Sequence, residues 1–330
     1  MIEAEITSEG VQHVRIVVTG GAGFIGANLC RELAAHPGIS HVVALDNLST
    51  SSATNLDGVD AELVKGSILD RPLLEDVVAG ADSVVHLGAR PSVPRSMADP
   101  VASHDANATG TLYVLEACRR RGTHMVMASS SSVYGANPTL PRREDLAAMP
   151  LSPYAASKLA AEGYAMAYGA AFDLPCLAFR FFNVYGPLQA LGHAYAAVVP
   201  SFMDAALRGR PLRIHGDGRQ TRDFTYVGSV VRVLTDAVLR RVTSPRPVNL
   251  AFGTRVRVLD LAAHVGAALG VPVELEHDPP RPGDARDAQA DTERLRGLFP
   301  DVVPVPLEAG LAQTAAWVRT LPDYRPVGVS

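Results

Sequence analysis

From Val14 onward the chain alternates between short, continuously apolar runs and longer stretches in which apolar residues recur every three or four positions. "VRIVVTG", "HVVALD", "DSVVHLGA" and "HMVMASS" show the first pattern; "FIGANLCRELAAH", "LLEDVVAG" and "SHDANATGTLYVLEACRRRG" show the second. A strand that is apolar on both sides must be covered on both faces, and the helices between such strands supply the cover. The pattern predicts an α/β fold, a doubly wound parallel sheet. Beyond about residue 184 the spacing becomes irregular, with Gly and Pro clusters at "YGPLQALGH" and "HDPPRPGD" and no internal repeat. We expect an N-terminal tail over 1–13, a first domain over 14–183, and a smaller lobe over 184–330. Some elements of that lobe, around 225–252, are expected to return to the first domain.

Composition narrows the class. A chain of 330 residues, 47% hydrophobic and 19% charged, can bury a large core. Its net charge of −4 and pI near 6.2 give no general attraction to nucleic acid or to an anionic membrane. An anionic partner must therefore be met by local arginines, which favours a small ligand. Cys30, Cys118 and Cys176 lie far apart with no CxxC pair and no metal-ligand spacing, so buried thiols in a reducing compartment and no metal are expected. "MIEAEITSEGVQH" has no apolar core and no run of 18 apolar residues occurs, which leads us to expect a cytoplasmic protein without a membrane partner. Of 30 basic residues only Lys65 and Lys158 are lysines.

The first turn reads "VTGGAGFIG", with Gly20, Gly23 and Gly26 between a strand and a helix. Glycines there let the backbone turn sharply, approach a pyrophosphate and pack the helix onto the strand, with the helix N-terminus facing the phosphate charge. The next strand ends in Asp46, about twenty residues on, where a carboxylate accepts hydrogen bonds from an adenosine ribose. It would repel a 2′-phosphate, and "NLSTS" after it offers no arginine, so NAD is expected over NADP. His86, in "HLGA", is expected to be a packed core histidine.

"SPYAASK" sets Tyr154 and Lys158 four apart, on one face of a helix. An ammonium near a phenol favours phenolate, lowering a pKa that is about 10 unperturbed, and a positive nicotinamide ring does the same. Tyr154 is thereby a candidate base. "ASSSSVYG" places four serines, Ser129 to Ser132, at the end of an apolar strand, the setting of an active-site edge.

With "TGGAGFIG", "SSSSVYG", "SPYAASK", "RFFNVYGP", "GDGRQTRDFTYV" and "RPGDARDAQAD" in order over residues 14 to 320, the chain resembles the extended short-chain dehydrogenase/reductase family, specifically its NAD-dependent nucleotide-sugar epimerases and dehydratases. The resemblance implies a Rossmann domain with a C-terminal nucleotide-sugar lobe, and a cofactor set that adds Phe24, Ile25, Asn47, Ser67, Ile68, Leu87, Ala89 and Asn107 to the glycines, Asp46, Tyr154 and Lys158. It gives Ser130 to the sugar 4-OH and the tyrosine. Dehydratases of the family carry Asp and Glu at the next two positions, where this chain has Ser131 and Ser132, which cannot serve as acid and base near neutral pH. Epimerisation is therefore expected.

By the same resemblance Asn183, Arg222 and Arg281 contact the diphosphate and Asp284 the nucleoside ribose. Ser92, Arg95 and Gln189 match the subgroup acting on UDP-N-acetylhexosamines, and Ala288 replaces a bulky tyrosine of epimerases restricted to unsubstituted sugars. Glucuronate epimerases place an arginine where this chain has Ala190, which counts against a uronate, although Arg90 or Arg95 could substitute. Ser67 stands where an acidic residue usually meets adenine. Members commonly dimerise through helices equivalent to 101–121 and 154–171. The expected function is UDP-GlcNAc/UDP-GalNAc 4-epimerisation with some activity on UDP-Glc/UDP-Gal. The alternatives are an epimerase or 4-ketoreductase on another nucleotide sugar, including UDP-glucuronate, and a non-catalytic dinucleotide sensor, a class that typically lacks the tyrosine or the lysine.

Overall fold

The computed structural model describes residues 14–192, 196–279 and 286–324. Its centre is a seven-stranded sheet, formed by β1 (Arg15–Thr19), β2 (His41–Asp46), β3 (Glu62–Lys65), β4 (Ser83–His86), β5 (His124–Ser130), β6 (Cys176–Phe181) and, encoded much later, a strand at Val248–Leu250. Every neighbouring pair is parallel, and the spatial order runs from Val248–Leu250 through β6, β5, β4, β1 and β2 to β3. The order reverses between β1 and β4, and a cleft opens at the carboxyl ends of strands that diverge there.

Helices cover both faces, as continuously apolar strands require. On one side lie α1 (Phe24–Ala34) and a later helix at Val227–Leu239; on the other lie α2 (Arg71–Val78), α5 (Gly110–Arg119) and α6 (Pro153–Phe172). Two short helices, α3 (Val93–Ala98) and α4 (Pro100–His104), lead into α5. The core under α1 continues through Phe202, Leu261 and Leu311 into the C-terminal lobe. One apolar cluster thus serves both halves, and the sequence pattern shows no clean boundary between them.

Two elements differ from the sequence pattern. β3 carries charge at both ends and is buried only halfway, as an edge strand is, so its two apolar residues raised no strand signal. The predicted long helix around 103–122 is interrupted by a π-helical turn at Asp105–Thr109. Its next residue, Gly110, packs so closely that a Cβ there would stand 2.7 Å from Ile68 Cδ1. Past Phe181 the lobe is assembled from β7 (Val184–Tyr185), α7 (Val198–Leu207), β8 (Leu212–His215), β9 (Thr221–Arg222), β10 (Thr225–Tyr226), α8 (Val227–Leu239), β11 (Val248–Leu250), β12 (Val256–Arg257), α9 (Val258–Leu269), β13 (Leu275–Asp278), α10 (Glu293–Leu298) and α11 (Leu307–Val318). β11 joins the central sheet beside β6, and the other strands pair in twos: β7 with β10, β9 with β12, β8 with β13.

Candidate active site

The glycine turn between β1 and α1 is built by close approach. Gly20 has a left-handed backbone (φ 70°), and a Cβ on it would meet the Gly88 nitrogen at 2.8 Å. A Cβ on Gly26 would lie 2.1 Å from the Gly20 carbonyl oxygen. Gly23 is the N-cap of α1, so Phe24 and Ile25 form a first turn whose amides no capping side chain covers. Such a cradle fits a pyrophosphate, with the helix dipole favouring its charge. Asp46 stands beside it at the end of β2. Its carboxylate accepts from Ala22 N (3.1 Å), Leu48 N (2.8 Å) and Ser51 Oγ (2.9 Å), and these three donors fix its orientation. Asn47 is exposed and accepts from Ser49 N. Asn55, which the sequence pattern did not single out, donates to the Ala22 carbonyl and straps the next loop across the turn.

The far wall of the cleft is Leu87, Gly88 and Ala89, tied to β1 through Leu87 N to Thr19 O and Gly88 N to Thr19 Oγ1. Ser67 accepts from Leu69 N, and Ile68 wedges against Gly88 and Gly110. His86 is a core residue, as expected. Thr111 Oγ1 donates to Asn107 O (2.6 Å), so it accepts from His86 Nε2 (2.9 Å), and His86 Nδ1 accepts from Thr19 Oγ1 (2.7 Å). The ring is thereby fixed as the neutral Nε2–H tautomer. Burial, then the Lys158 charge, pushes its pKa down to about 3. Asn107, expected among the cofactor contacts, is fully buried. Its amide bonds both main-chain groups of Arg90 and Ser157 Oγ, and so ties the cleft wall together.

α6 starts at an N-cap, Ser152, whose hydroxyl accepts from Ala155 N, with Pro153 at the first helical position. This start sets Tyr154 at the cleft, one turn before Lys158. Lys158 is buried, and its Nζ donates to the Ala128 carbonyl at 2.8 Å. Burial lowers its pKa to about 8. The expected depression of the tyrosine is not what the chain alone produces: burial raises the Tyr154 pKa, and the Ser130 side chain beside it pulls the other way. Base strength at Tyr154 thus depends on added positive charge, which an oxidised nicotinamide carries.

The four serines divide their tasks. Ser129 points into the interior and donates to Glu162 Oε2 (2.7 Å), while Glu162 is paired through both oxygens with Arg180. Ser130 accepts from Ser132 N and donates to Ser132 Oγ (3.0 Å), capping a tight turn next to Tyr154. Ser131 and Ser132 line a cavity with Tyr134, Arg142, Leu151, Ser152 and Ala288.

A second cavity adjoins the first, walled by Gln189, Arg213, His215, Gln220 and Phe224, and Asn183 and Arg222 line both. Asn183 Nδ2 donates to Asp223 O, and Arg222 Nη1 donates to Thr221 O and Arg286 O. Gln189 donates to Val184 O, while its Oε1 is buried with no hydrogen-bond partner among the described residues, an acceptor open to a ligand's donor. Ser92 has φ 93° and caps α3 by accepting from Arg95 N, which leaves Val93, between them, on the wall of the first cavity. Arg90 is paired with Asp99 at 3.0 Å. Arg281 and Asp284 lie outside the described residues. Arg213 and His215 were missed, although "LRIH" alternates apolar and polar positions as a half-buried strand does.

The profile of the NAD dependent epimerase/dehydratase family matches residues 16–251. A curated relative from Mycolicibacterium smegmatis, named UDP-glucose 4-epimerase, is 38% identical over 317 residues, covering 93% of this chain and 99% of its own. Among solved structures, the UDP-N-acetylglucosamine 4-epimerase of Methanobrevibacter ruminantium, in complex with UDP-N-acetylmuramic acid, superposes with a TM-score of 0.87 at 32% identity, covering 93% of this chain and 98% of that one. The Thermus thermophilus UDP-glucose 4-epimerase, a complex with NAD, superposes with a TM-score of 0.82 at 33% identity, covering 93% and 99%. A cradle that only glycine can form, an acidic residue closing the second strand and a matching family profile agree: this chain is an NAD-dependent enzyme and belongs to the NAD dependent epimerase/dehydratase family.

Proposed function

We propose that the chain is a UDP-sugar 4-epimerase, working through a transient 4-keto sugar, with UDP-GlcNAc and UDP-GalNAc as its main pair and UDP-Glc and UDP-Gal as a secondary one. What supports this most is that Ser130, Tyr154 and Lys158 gather between the glycine cradle and a cavity whose wall carries Ser131, Ser132 and Ala288. Held by the Gly20, Gly23 and Gly26 cradle beside Asp46, NAD would supply the hydride acceptor and donor. Tyr154 takes the proton from the sugar O4 and later gives one back, with Ser130 bonded to the same oxygen. Lys158, anchored to Ala128 O, contributes positive charge beside the phenol. Serines at 131 and 132 have no group that could protonate a leaving hydroxyl near neutral pH, so no elimination competes. Asn183 and Arg222, shared by the two cavities, suit a diphosphate bridging sugar and base, with Arg281, Asp284, Gln189, Ser92 and Arg95 completing the proposed contacts. In this division the 14–183 stretch holds the cofactor and the 184–330 stretch mainly the nucleotide sugar.

We also propose a cytoplasmic homodimer. Three free cysteines suit a reducing compartment, and Val101 and Tyr164, exposed on the helices expected to pair, with Met97 exposed on the adjoining α3, suit a second copy.

The test is to incubate the purified protein with UDP-GlcNAc, adding no cofactor, and follow the anomeric protons by NMR. Conversion to UDP-GalNAc is expected, and Tyr154→Phe should slow it by about 10³-fold or more with bound NAD retained. Net consumption of added NADH without epimer formation would instead indicate a ketoreductase.

A further inference from the structure

Arg142 is a charged side chain of the sugar cavity to which nothing above gives a task. It lies in a stretch that pairs with the chain around Ala290: Arg142 N donates to Gln289 O (2.7 Å) and Asp291 N donates to Arg142 O (3.0 Å). Paired residues share a face, so its side chain lies on the side of Ala288 and Ala290, and it lines the cavity with Ala288. It is only 6% exposed. Its Nη1 donates to the main-chain carbonyls of Asn137 and Thr139, and its guanidinium carbon stands 6.0 Å from the centre of the Tyr134 ring. Among the described residues no carboxylate pairs with it. Asp287 shares the cavity but accepts from Thr221 N and Oγ1 and lies 3.6 Å from Arg255.

The contrast with Arg180 is informative. That guanidinium, buried to the same degree, is neutralised through both oxygens of Glu162. Carbonyl oxygens and a ring face solvate a buried cation but bring no net charge, and burying an uncompensated one carries a cost that a counter-ion offsets.

We propose that the substrate brings the counter-charge: the sugar this pocket is built for is an N-acetylhexosamine whose ring carries a carboxylate, and Arg142 is the residue that reads it. This rests on the epimerase reading of the same site and puts the acidic counterparts of UDP-GlcNAc and UDP-GalNAc in place of that neutral pair as the preferred substrates. The cation sought at 190, where the chain has alanine, or at Arg90, which Asp99 occupies, is supplied by Arg142.

The test compares kcat/KM of the NAD-bound enzyme on UDP-GlcNAc and on UDP-N-acetylglucosaminuronate for the wild type, Arg142→Gln and Arg142→Lys, with UDP affinity and NAD content as controls of folding. The wild type is expected to prefer the acidic sugar by at least about 10-fold. In Arg142→Gln that preference should fall roughly 50-fold, mainly through KM, and Arg142→Lys should restore part of it. Wild-type turnover of the neutral sugar without preference for the acidic one would overturn the proposal and leave the epimerase standing. So would an equal loss on both sugars in Arg142→Gln with UDP and NAD retained. A wild type that binds UDP yet epimerises neither sugar would overturn the epimerase reading and this proposal with it.

Discussion

The cofactor cleft and the sugar cavity share a border at Ser130 and Tyr154 but are specified in opposite ways. The cleft is made of backbone brought together: Gly20 against Gly88, Gly26 against Gly20, and the Thr19 hydroxyl against Gly88 N. Nearly all of it comes from one continuous stretch of alternating strands and helices. The cavity is made of side-chain tips, Ser131, Arg142, Leu151, Asn183, Arg222 and Ala288, drawn from separate loops and short strands. A cleft defined by absent side chains tolerates no added atom, while a cavity defined by present ones can change substrate without losing its fold.

The sharpest way to break that contrast is Gly26→Ala. The new methyl would sit 2.1 Å from the Gly20 carbonyl and 2.8 Å from Gly21 Cα, backbone atoms that cannot yield without opening the cradle. We expect purified variant to carry less than about a tenth of the wild-type NAD and to lose about 3 kcal/mol or more of stability, read from the absorbance ratio and the thermal midpoint. Wild-type NAD content would show that the turn is not set by close approach.

A smaller effect probes the polar chain behind the cleft. His86 is neutral in the folded state, with a pKa of about 3 against an ordinary value near 6.5. As pH falls below 6.5 the unfolded chain takes up a proton that the folded chain refuses, so stability is present above pH 6.5 and is lost progressively toward pH 3. Between pH 6.5 and 5 this amounts to on the order of 2 kcal/mol. Urea midpoints at pH 7 and pH 5 should draw together in His86→Asn relative to wild type. An unchanged pH dependence would mean that the ring is protonated in place and that the Thr19 and Thr111 bonds are not its fixed partners.

The same contrast explains what the sequence made legible. Gly20, Asp46, Tyr154 and Lys158 stood out because their chemistry depends on local spacing, which a helix or a strand end converts directly into geometry. β3 escaped because an edge strand buries one face and needs few apolar residues. The part Asn107 plays in tying the wall together was not legible, since nothing in "DANAT" marks the π-helical turn it sits on or its bonds to Arg90 and Ser157. Arg142 was invisible for a different reason. Its backbone partner lies near residue 290, and only the folded chain brings a buried guanidinium to the cavity that Asn183 also lines.

Ala288 provides the mildest test, because it asks the cavity to change chemistry without changing fold. Its main-chain nitrogen is already committed to Thr221 O (3.1 Å), and its side chain faces the sugar cavity. A tyrosine there can extend into the cavity while that bond persists, filling space otherwise open to an acetamido group. We expect Ala288→Tyr to lower kcat/KM for UDP-GlcNAc relative to UDP-Glc by about 10-fold, the scale at which a pocket discriminates by volume. NAD content should stay at the wild-type level, since no atom of the glycine cradle is touched. An equal loss on both sugars would place the methyl away from the C2 substituent. A loss of NAD would show that the two regions are mechanically coupled across Ser130, and the division between a cleft of backbone and a cavity of side chains would then fail at the border where the chemistry occurs.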